Sequence, residues 1–181
     1  MAESFMSSII PEEKGPTILS KNIKSGTKKK ENTTEKDLSV YVNHIKKLEN
    51  KKLTAYKPVD TEEHYTVGYG HYGPDVKKGM TITDEQAESY LKKDIEKRLV
   101  TIKKAIPNFD NMPIDTRKHL LDSWFRGGLS GSPKTIDLIN QGNYTDASTE
   151  FLDNNEYRNT KLTGVKKRME ATSQAIARLE I

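Results

Sequence analysis

The chain has 181 residues, of which 33% are hydrophobic and 31% charged, and its formal net charge is +4 at pH 7. This length suits one compact domain with some chain left over, and it excludes a large multidomain assembly. The absence of cysteine excludes disulfides, thiolate nucleophiles and thiolate-containing zinc sites. The basic excess is too small to indicate a nucleic-acid partner, and we expect none.

Hydropathy gives no sign of a membrane segment. The sequence contains no run of about 18 apolar residues, which a membrane-spanning helix would need. Its start, MAESFMSSIIPEEKGP, lacks the basic region and the unbroken apolar stretch of a secretory signal. We therefore expect neither membrane insertion nor signal-directed export.

A polar segment, residues 1–37, precedes the first periodic pattern, and residues 38–181 are predicted to form the folded domain. The segment is rich in Ser, Lys, Glu, Asn and Thr, and such a composition buries too little apolar surface to offset the entropy of ordering. One interpretation is a solvated, flexible arm. The alternative is an arm that docks on a partner or on the domain through apolar residues, which are Phe5, Ile9, Ile10, Ile18 and Leu19.

The first part of the domain is predicted to be a helix followed by a small sheet. Apolar residues three or four positions apart predict a helix from Leu38 to about Glu49. Two short β-prone runs, residues 53–56 and 65–69, flank a polar segment and predict a hairpin with a long loop.

The rest of the domain is predicted to be helical. Thr83 and Gln86 have the spacing of a capping box, so a long helix should begin there, and Pro107 should end it. Further helices are predicted over residues 114–125, 133–141, 144–152 and 164–179, with Ser132 as the N-cap of the second. A helix, a hairpin, a long connecting helix and a helical lobe define an α+β domain that is predominantly α.

Two patterns in the sequence suggest a ligand but lack the required context. Gly68, Gly70 and Gly73 satisfy the dinucleotide fingerprint G-x-G-x-x-G, yet Pro74 and a polar loop follow where a helix should begin. No pair of histidines has the spacing of metal ligands on one helical face, so no metal site is expected. We expect Gly70 to permit a tight chain path and His71 to support the sheet by hydrogen bonding.

Two acids and a hydroxyl surround the predicted hairpin: Glu49 at the helix end, Asp60 in the loop and Thr66 on the second strand. Cleavage of a glycosidic bond needs one carboxylic acid to protonate the leaving oxygen and a second carboxylate to stabilise positive charge or activate water. A helix C-terminus and an apolar neighbour, Leu48, both favour the protonated form of an acid. Because the chain has 26 acids, the same spacing also fits two solvated surface groups.

The sequence around these residues carries a longer pattern. It runs LENKKLTAY over residues 48–56, then Asp60, then YTVGYGHYG over residues 65–73. This pattern resembles the phage-type lysozymes of glycoside hydrolase family 24, in which an acid at a helix end precedes a tyrosine, an aspartate and the motif T-I-G-Y-G-H. The resemblance covers Leu38 to about Leu179 and includes the segments 124–128, 132–144 and 164–170.

The resemblance implies a two-lobed lysozyme fold and a muramidase that cleaves the β-1,4 bond between N-acetylmuramic acid and N-acetylglucosamine in bacterial peptidoglycan. It implies no cofactor and no metal. By position, Glu49 matches the general acid and Asp60 the second carboxylate, and Thr66 matches the residue that positions water for an inverting attack.

The resemblance also implies saccharide contacts. Tyr72 and Phe125 match positions in the cleft, and Thr135 matches a hydroxyl on the C-terminal wall. Arg126 stands where many relatives have an asparagine. Its side chain could pair with an acid or with a carboxylate of a peptide stem, or it could be a solvated cation at a helix end.

The loop before Asp60 departs from the family pattern. Ten residues, Asn50 to Val59, separate the two acids, two more than is usual in the family, and the surplus is most simply placed at Pro58 and Val59. If this longer loop turns the carboxylate of Asp60 away from the cleft, the protein would bind glycan and hydrolyse it poorly.

Two roles are compatible with these features. The first is a wall hydrolase, made in the host cytoplasm for phage lysis or carried on the virion or tail for wall penetration. The alternative is a catalytically weak structural or binding component of a phage particle, tethered to phage structural proteins through residues 1–37. A secreted antibacterial toxin would need an export route that the sequence does not display.

Overall fold

The computed structural model describes residues 35–180. Residues 1–34, which make up most of the predicted arm and include its apolar residues, fall outside this range, so the expectations for them are not addressed by the structure. Within it, a small antiparallel sheet and a set of helices confirm the predicted α+β, predominantly α fold. The elements are α1 (Glu35–Leu48), β1 (Lys52–Tyr56), β2 (Tyr65–Gly68), β3 (His71–Gly73), α2 (Asp84–Ala105), α3 (Ile114–Phe125), α4 (Pro133–Gln141), α5 (Tyr144–Leu152), α6 (Asn155–Asn159) and α7 (Thr163–Ala177), with short 3-10 turns at Phe109–Asn111 and Arg178–Glu180.

Helix α1 begins three residues earlier than predicted. Glu35 and Asp37 place negative charge in its first turn, which favours a helix start, and Asp37 accepts a hydrogen bond of 2.9 Å from Arg117. The helix ends at Leu48, so Glu49 follows the last helical residue. The backbone N–H of Glu49 still donates to the carbonyl of Ile45 at 2.9 Å, which holds Glu49 close to the helix axis.

The sheet has three strands, in the order β1-β2-β3, one more than predicted. The unpredicted strand, β3, is only three residues long and pairs Val67 with His71. The reversal between β2 and β3 depends on Gly68 and Gly70, whose φ angles are +67° and +97°. Residues other than glycine rarely adopt such positive φ angles. The close pairing of β2 and β3 places both ends of the GYGHYG motif on one small sheet.

Helix α2 begins at the predicted capping box. Thr83 accepts from the backbone N–H of Gln86 at 3.2 Å, and the Gln86 side chain accepts from the backbone N–H of Thr83 at 2.8 Å. The helix packs against the sheet at Ala87, since a Cβ atom on Gly68 would lie 3.4 Å from the Ala87 Cβ. Its other end reaches the helical part of the molecule, so α2 connects the sheet to the helical lobe.

The helical lobe follows the predicted order, with one added helix. The short helix α6 was not predicted. Pro133 occupies the first position of α4 and Gly142 ends it with φ of +81°, as expected. Ser132 is the N-cap of α4, as predicted, but its hydroxyl makes no capping hydrogen bond and donates to the carbonyl of Gly128 at 2.9 Å.

One hydrophobic core runs through the described residues and joins the sheet to the helices. The largest fully buried side chains come from α1, α2, α3, α5, α7, the turn at Phe109–Asn111 and two connecting positions, and they are Tyr41, Phe109, Phe151, Ile45, Leu91, Ile95, Ile102, Ile106, Leu120, Leu121, Leu129 and Ile176. No helix within residues 35–180 combines the length and apolar character needed to cross a membrane.

Two histidines meet inside this fold. His44 on α1 and His119 on α3 form an edge-to-face ring pair with centroids 5.0 Å apart. Burial lowers the pKa of both, that of His44 to about 4, and the positive charges of Lys118 and Arg168 add to the effect on His44 while Asp122 opposes it. The Nε2 atom of His44 has no hydrogen-bond partner among the described residues.

We expect this pair to make the protein less stable in acid. The unfolded chain protonates His44 near pH 6.5, whereas the folded chain does so near pH 4, so protons bind the unfolded state preferentially and the free energy of unfolding falls as pH decreases between those values. In His44→Leu, this part of the pH dependence should be lost. The measurement is urea unfolding at pH 7, 5.5 and 4.5.

His64→Gln is the matched control, because His64 contacts Tyr72 and takes no part in the pair of His44 and His119. The control should retain the wild-type dependence on pH. Parallel curves for wild type and His44→Leu between pH 6.5 and 4 would show that the unfolding equilibrium does not sense His44.

Candidate active site

Glu49 lies at the junction of α1 and the sheet, with 27% of its side chain exposed. Its Oε1 atom accepts a hydrogen bond of 2.8 Å from Arg168 on α7. No group within residues 35–180 bonds to Oε2, which is therefore the oxygen available for proton transfer. Burial raises the pKa of Tyr56 on β1, and the negative charges of Glu49 and Glu62 raise it further.

Arg168 is itself held by Asp122 on α3. The guanidinium donates from Nε to Oδ2 of Asp122 at 3.1 Å and from Nη2 to Oδ1. Asp122 is 1% exposed. Burial opposes the charge of Arg168, but its hydrogen bonds and ion pairs with Asp122 and Glu49 outweigh that cost and raise its pKa. Sequence reasoning missed this link; residues 164–170 were part of the family pattern, but no role was assigned to Arg168.

Thr66 lies on the central strand between two tyrosines. The strand register pairs it with Tyr56 on one side and with Tyr72 on the other. Residues directly opposite in an antiparallel sheet project from the same face, so these three side chains share one face of the sheet. Thr66 is 5% exposed, and no hydrogen bond among the described residues uses its hydroxyl.

Tyr72 forms the outer part of this face. It is 47% exposed, and its hydroxyl oxygen accepts a hydrogen bond of 3.2 Å from the backbone N–H of His64. The ring centroids of His64 and Tyr72 lie 5.4 Å apart. An exposed aromatic ring held in place by its neighbours is suited to packing against the apolar face of a sugar.

Asp60 lies in the loop between β1 and β2, within a turn closed by a hydrogen bond of 3.1 Å from the N–H of Glu62 to the carbonyl of Val59. Lys57 braces the same loop by donating to the carbonyl of Glu62 at 2.6 Å. Asp60 is exposed, and no described residue donates to it or pairs with it. The loop around Asp60 is therefore a braced turn, and the carboxylate of Asp60 is open to solvent.

His71 fixes β3 onto α2. Its ring nitrogens lie 2.9 Å from carboxylate oxygens of Asp94 on α2 and of Asp75 in the loop after β3. The ring stacks on Tyr90 with centroids 4.1 Å apart. The hydrogen bond with His71 lowers the pKa of Asp75. Sequence reasoning gave His71 a supporting role but identified none of these partners, since their spacing follows no local motif.

Phe125 joins the end of α3 to the turn between β2 and β3. A Cβ atom on Gly70 would lie 3.9 Å from the Phe125 ring, so the bare backbone of Gly70 passes close to that ring. The guanidinium of Arg98, on α2, lies 4.0 Å from the centroid of the Phe125 ring. This is a cation–π contact that sequence reasoning also missed. Phe125 therefore sits where the sheet, α2 and α3 meet.

The side chain of Arg126 is paired with an acid, and that of Thr135 is buried. Arg126 donates to Glu156 on α6 at 2.7 Å, which is the acid-paired alternative for this side chain. Thr135 is 1% exposed, and its buried hydroxyl has no hydrogen-bond partner among the described residues. Thr135 therefore offers no open hydroxyl to a ligand in this structure.

Among residues 35–180, no three His, Asp or Glu side chains are grouped so that they could hold a metal ion.

The order of helix, small sheet, long connecting helix and helical lobe, with an acid just after the first helix, defines a lysozyme-like fold. The muramidase domain of SpmX from Asticaccaulis excentricus shares this fold, with a TM-score of 0.59 over 76% of this chain and 94% of that one, at 18% identity. Residues 46–172 match the Phage lysozyme family model, and the chain belongs to that family.

Relatives with similar sequences are phage endolysins. The endolysin of Bacillus phage B103 is 33% identical over 71% of this chain and 49% of its own length, and that of Bacillus phage PZA is 36% identical over 61% and 43%. The endolysin of Salmonella phage P22 is 28% identical over 61% of this chain and 77% of its own length. The chain therefore spans about half the length of the two Bacillus phage relatives.

Proposed function

We propose that the chain is a peptidoglycan hydrolase, a muramidase that cleaves the β-1,4 bond between N-acetylmuramic acid and N-acetylglucosamine. The observation that carries this proposal is the placement of Glu49, whose Oε1 is anchored by Arg168 while its Oε2 has no partner among the described residues. Membership of the Phage lysozyme family supports it, and so do the names of the endolysin relatives.

In the proposed reaction, Glu49 gives its proton from Oε2 to the glycosidic oxygen while the bond between that oxygen and the anomeric carbon breaks. A water molecule positioned by the hydroxyl of Thr66 forms the new bond on the opposite face, and Asp60 takes the proton of that water and stabilises the positive charge that develops on the sugar. The stereochemistry is inverting, which requires the two carboxyl groups to lie about 6.5 to 9.5 Å apart with water between them.

Glycan contacts are proposed along the sheet face and at its junction with the helices. Tyr72 offers an exposed ring on the same face as Thr66, and Phe125 lies beside Gly70. Arg126 supports this junction indirectly, because its pair with Glu156 holds α6 near the end of α3. We do not retain Thr135 as a saccharide contact, because it is buried.

The alternative, a catalytically weak structural component, is less favoured because the sequence relatives are endolysins. We propose that the protein is made in the host cytoplasm and acts on the bacterial cell wall. Residues 1–37 as an arm, with residues 38–181 as the lysozyme domain, remain a hypothesis, as do contacts of that arm with phage structural proteins and a location on the virion.

The test is product analysis on purified peptidoglycan. Incubation with the full chain is expected to release reducing ends, and borohydride reduction followed by acid hydrolysis should label muramic acid, since a muramidase leaves that sugar at the new terminus. Early in the reaction the new reducing ends should be the α anomer, because inversion changes a β linkage. Labelled glucosamine would contradict the bond assignment, and an absence of new reducing ends would favour the structural alternative.

A further inference from the structure

A groove of about 660 Å³ lies between α1, α3 and the start of α7. Leu48 and Arg168 separate it from Glu49, so it adjoins the candidate active site without including the three residues assigned to the reaction. The proposed reaction uses none of its other lining residues, and the family pattern assigned them no role.

The charge of the groove is strongly positive. Lys47, Lys161 and Lys167 line it with Arg168, and the carboxylate of Asp122 is the acid that faces them. Asp122 and Arg168 already neutralise each other. The three lysines are exposed, and none of them has a hydrogen-bond or ion-pair partner among residues 35–180. Three like charges that converge on a concave surface without counter-charges favour an anionic occupant.

The surface between these charges is largely apolar. Leu48, Leu162, Val165 and Ala171 contribute to it, and Leu162 is 66% exposed. No side chain caps the first turn of α7, which also lacks acidic residues. An occupant therefore needs anionic groups spaced along a chain, with short carbon segments between them that can lie on this surface.

The shape and chemistry of the groove select among anionic occupants. A bilayer surface is flat and does not enter a concave groove. A nucleic acid would gain from aromatic rings on which bases stack, and the rings that line this groove are those of His44 and His119, which pack edge to face against each other. A flexible chain of phosphodiesters joined by small polyols needs no such platform and matches both the spaced cations and the apolar surface.

We propose that this groove binds a linear phosphodiester polymer of the bacterial wall, of the teichoic-acid type. The proposal rests on the proposed function in one respect, since the wall is where such a polymer and this protein would meet. Binding there holds the protein on the wall through a surface separate from Glu49, Asp60 and Thr66. It thereby raises the local concentration of the protein next to its glycan.

The test uses soluble poly(glycerol phosphate) as the probe and the full chain as the protein. Binding is measured by calorimetry at low and at moderate salt. The variant Lys47→Ala/Lys161→Ala/Lys167→Ala is expected to bind about tenfold more weakly at low salt, because three exposed charge contacts are lost. Its affinity should also depend less steeply on salt.

The matched control is Lys78→Ala/Lys93→Ala/Lys104→Ala, which removes the same charge from exposed positions outside the groove. It should change the affinity less than twofold. An equal loss in the control would overturn the proposal, since it would show attraction to net charge alone.

A second variant tests the groove itself. Gly164 lines the groove, and a Cβ atom on it would meet nothing within 4 Å, so Gly164→Phe adds bulk there and retains all three lysines. It should weaken binding of the polymer. Undiminished binding by Gly164→Phe, or tighter binding to phosphatidylglycerol vesicles than to the polymer, would contradict the proposed occupant.

Failure of this inference is distinguishable from failure of the proposed function. The binding assay contains polymer and no peptidoglycan, so it reports no hydrolysis. Wild-type protein that releases no reducing ends from polymer-free peptidoglycan would count against the muramidase proposal alone. Wild-type protein that hydrolyses peptidoglycan but does not bind the polymer would count against the groove alone.

Discussion

Glu49→Gln is expected to lower the rate of reducing-end release from purified peptidoglycan by about 10³-fold, with little change in the free energy of unfolding. Glutamine has nearly the same shape as glutamate, and its amide oxygen can still accept the hydrogen bond that Arg168 donates. It carries no acidic proton, so the leaving oxygen would depart unprotonated. Rates should be measured with protein whose folding has been verified by circular dichroism.

Glu62→Gln is the matched control, because Glu62 is the other acid whose negative charge acts on Tyr56. It makes the same chemical change close to the same strand, and it should retain most of the hydrolytic rate. Full activity in Glu49→Gln, or loss of activity in Glu62→Gln alone, would show that the general acid has been assigned to the wrong residue.

Arg168→Met is expected to lower the free energy of unfolding by about 3 to 5 kcal/mol, because it leaves the charge of Asp122 buried without a partner. Hydrolysis should slow as well, since Glu49 loses the group that holds its Oε1. Urea unfolding measures the first effect. Reducing-end release, at a temperature where the variant remains folded, measures the second.

The double variant Arg168→Met/Asp122→Asn separates the buried charge from the other contributions of the arginine. It should recover a large part of the lost stability, because no uncompensated charge remains, while hydrolysis stays slow. Arg178→Met provides the surface comparison, since Arg178 and Asp115 are about half exposed and their pair is worth under about 1 kcal/mol. If Arg168→Met lowers the free energy of unfolding no more than Arg178→Met does, the buried pair of Arg168 and Asp122 contributes little to stability.

Local patterns predicted the helices well because helix signals lie close together in sequence. The capping box of Thr83 and Gln86 needs residues only three positions apart, and it marks the start of α2 correctly. The apolar stripe of α1 likewise predicted that this helix ends near Glu49, and in the structure it ends one residue earlier, at Leu48. Elements with weaker signals were missed. Strand β3 has three residues, of which the last is a glycine, and α6 has five residues and no buried side chain.

The candidate site was predicted less completely, because its contacts join residues far apart in sequence. Glu49 and Arg168 are 119 positions apart, and Asp122 and Arg168 are 46 apart. Periodicity identifies which face of a helix is buried, but it does not identify which charges meet across helices. Asp94, the partner of His71 on α2, is 23 positions away and was missed for the same reason, whereas Asp75 is only four positions away but follows no local motif. The family pattern indicated Glu49, Asp60 and Thr66 as candidates, while the group that holds Glu49 emerges only from the packing.

The hydrogen bond between Arg168 and Glu49 has a consequence for the order in which the molecule becomes functional. Glu49 is near the start of the folded chain, and its anchor is in α7, the last α-helix of the described residues. During synthesis, all three proposed catalytic residues emerge well before Arg168. A nascent or truncated chain that ends before residue 163 therefore contains the proposed acid, carboxylate and hydroxyl but lacks the group that fixes the acid. Completion of the fold and competence for hydrolysis are then the same event.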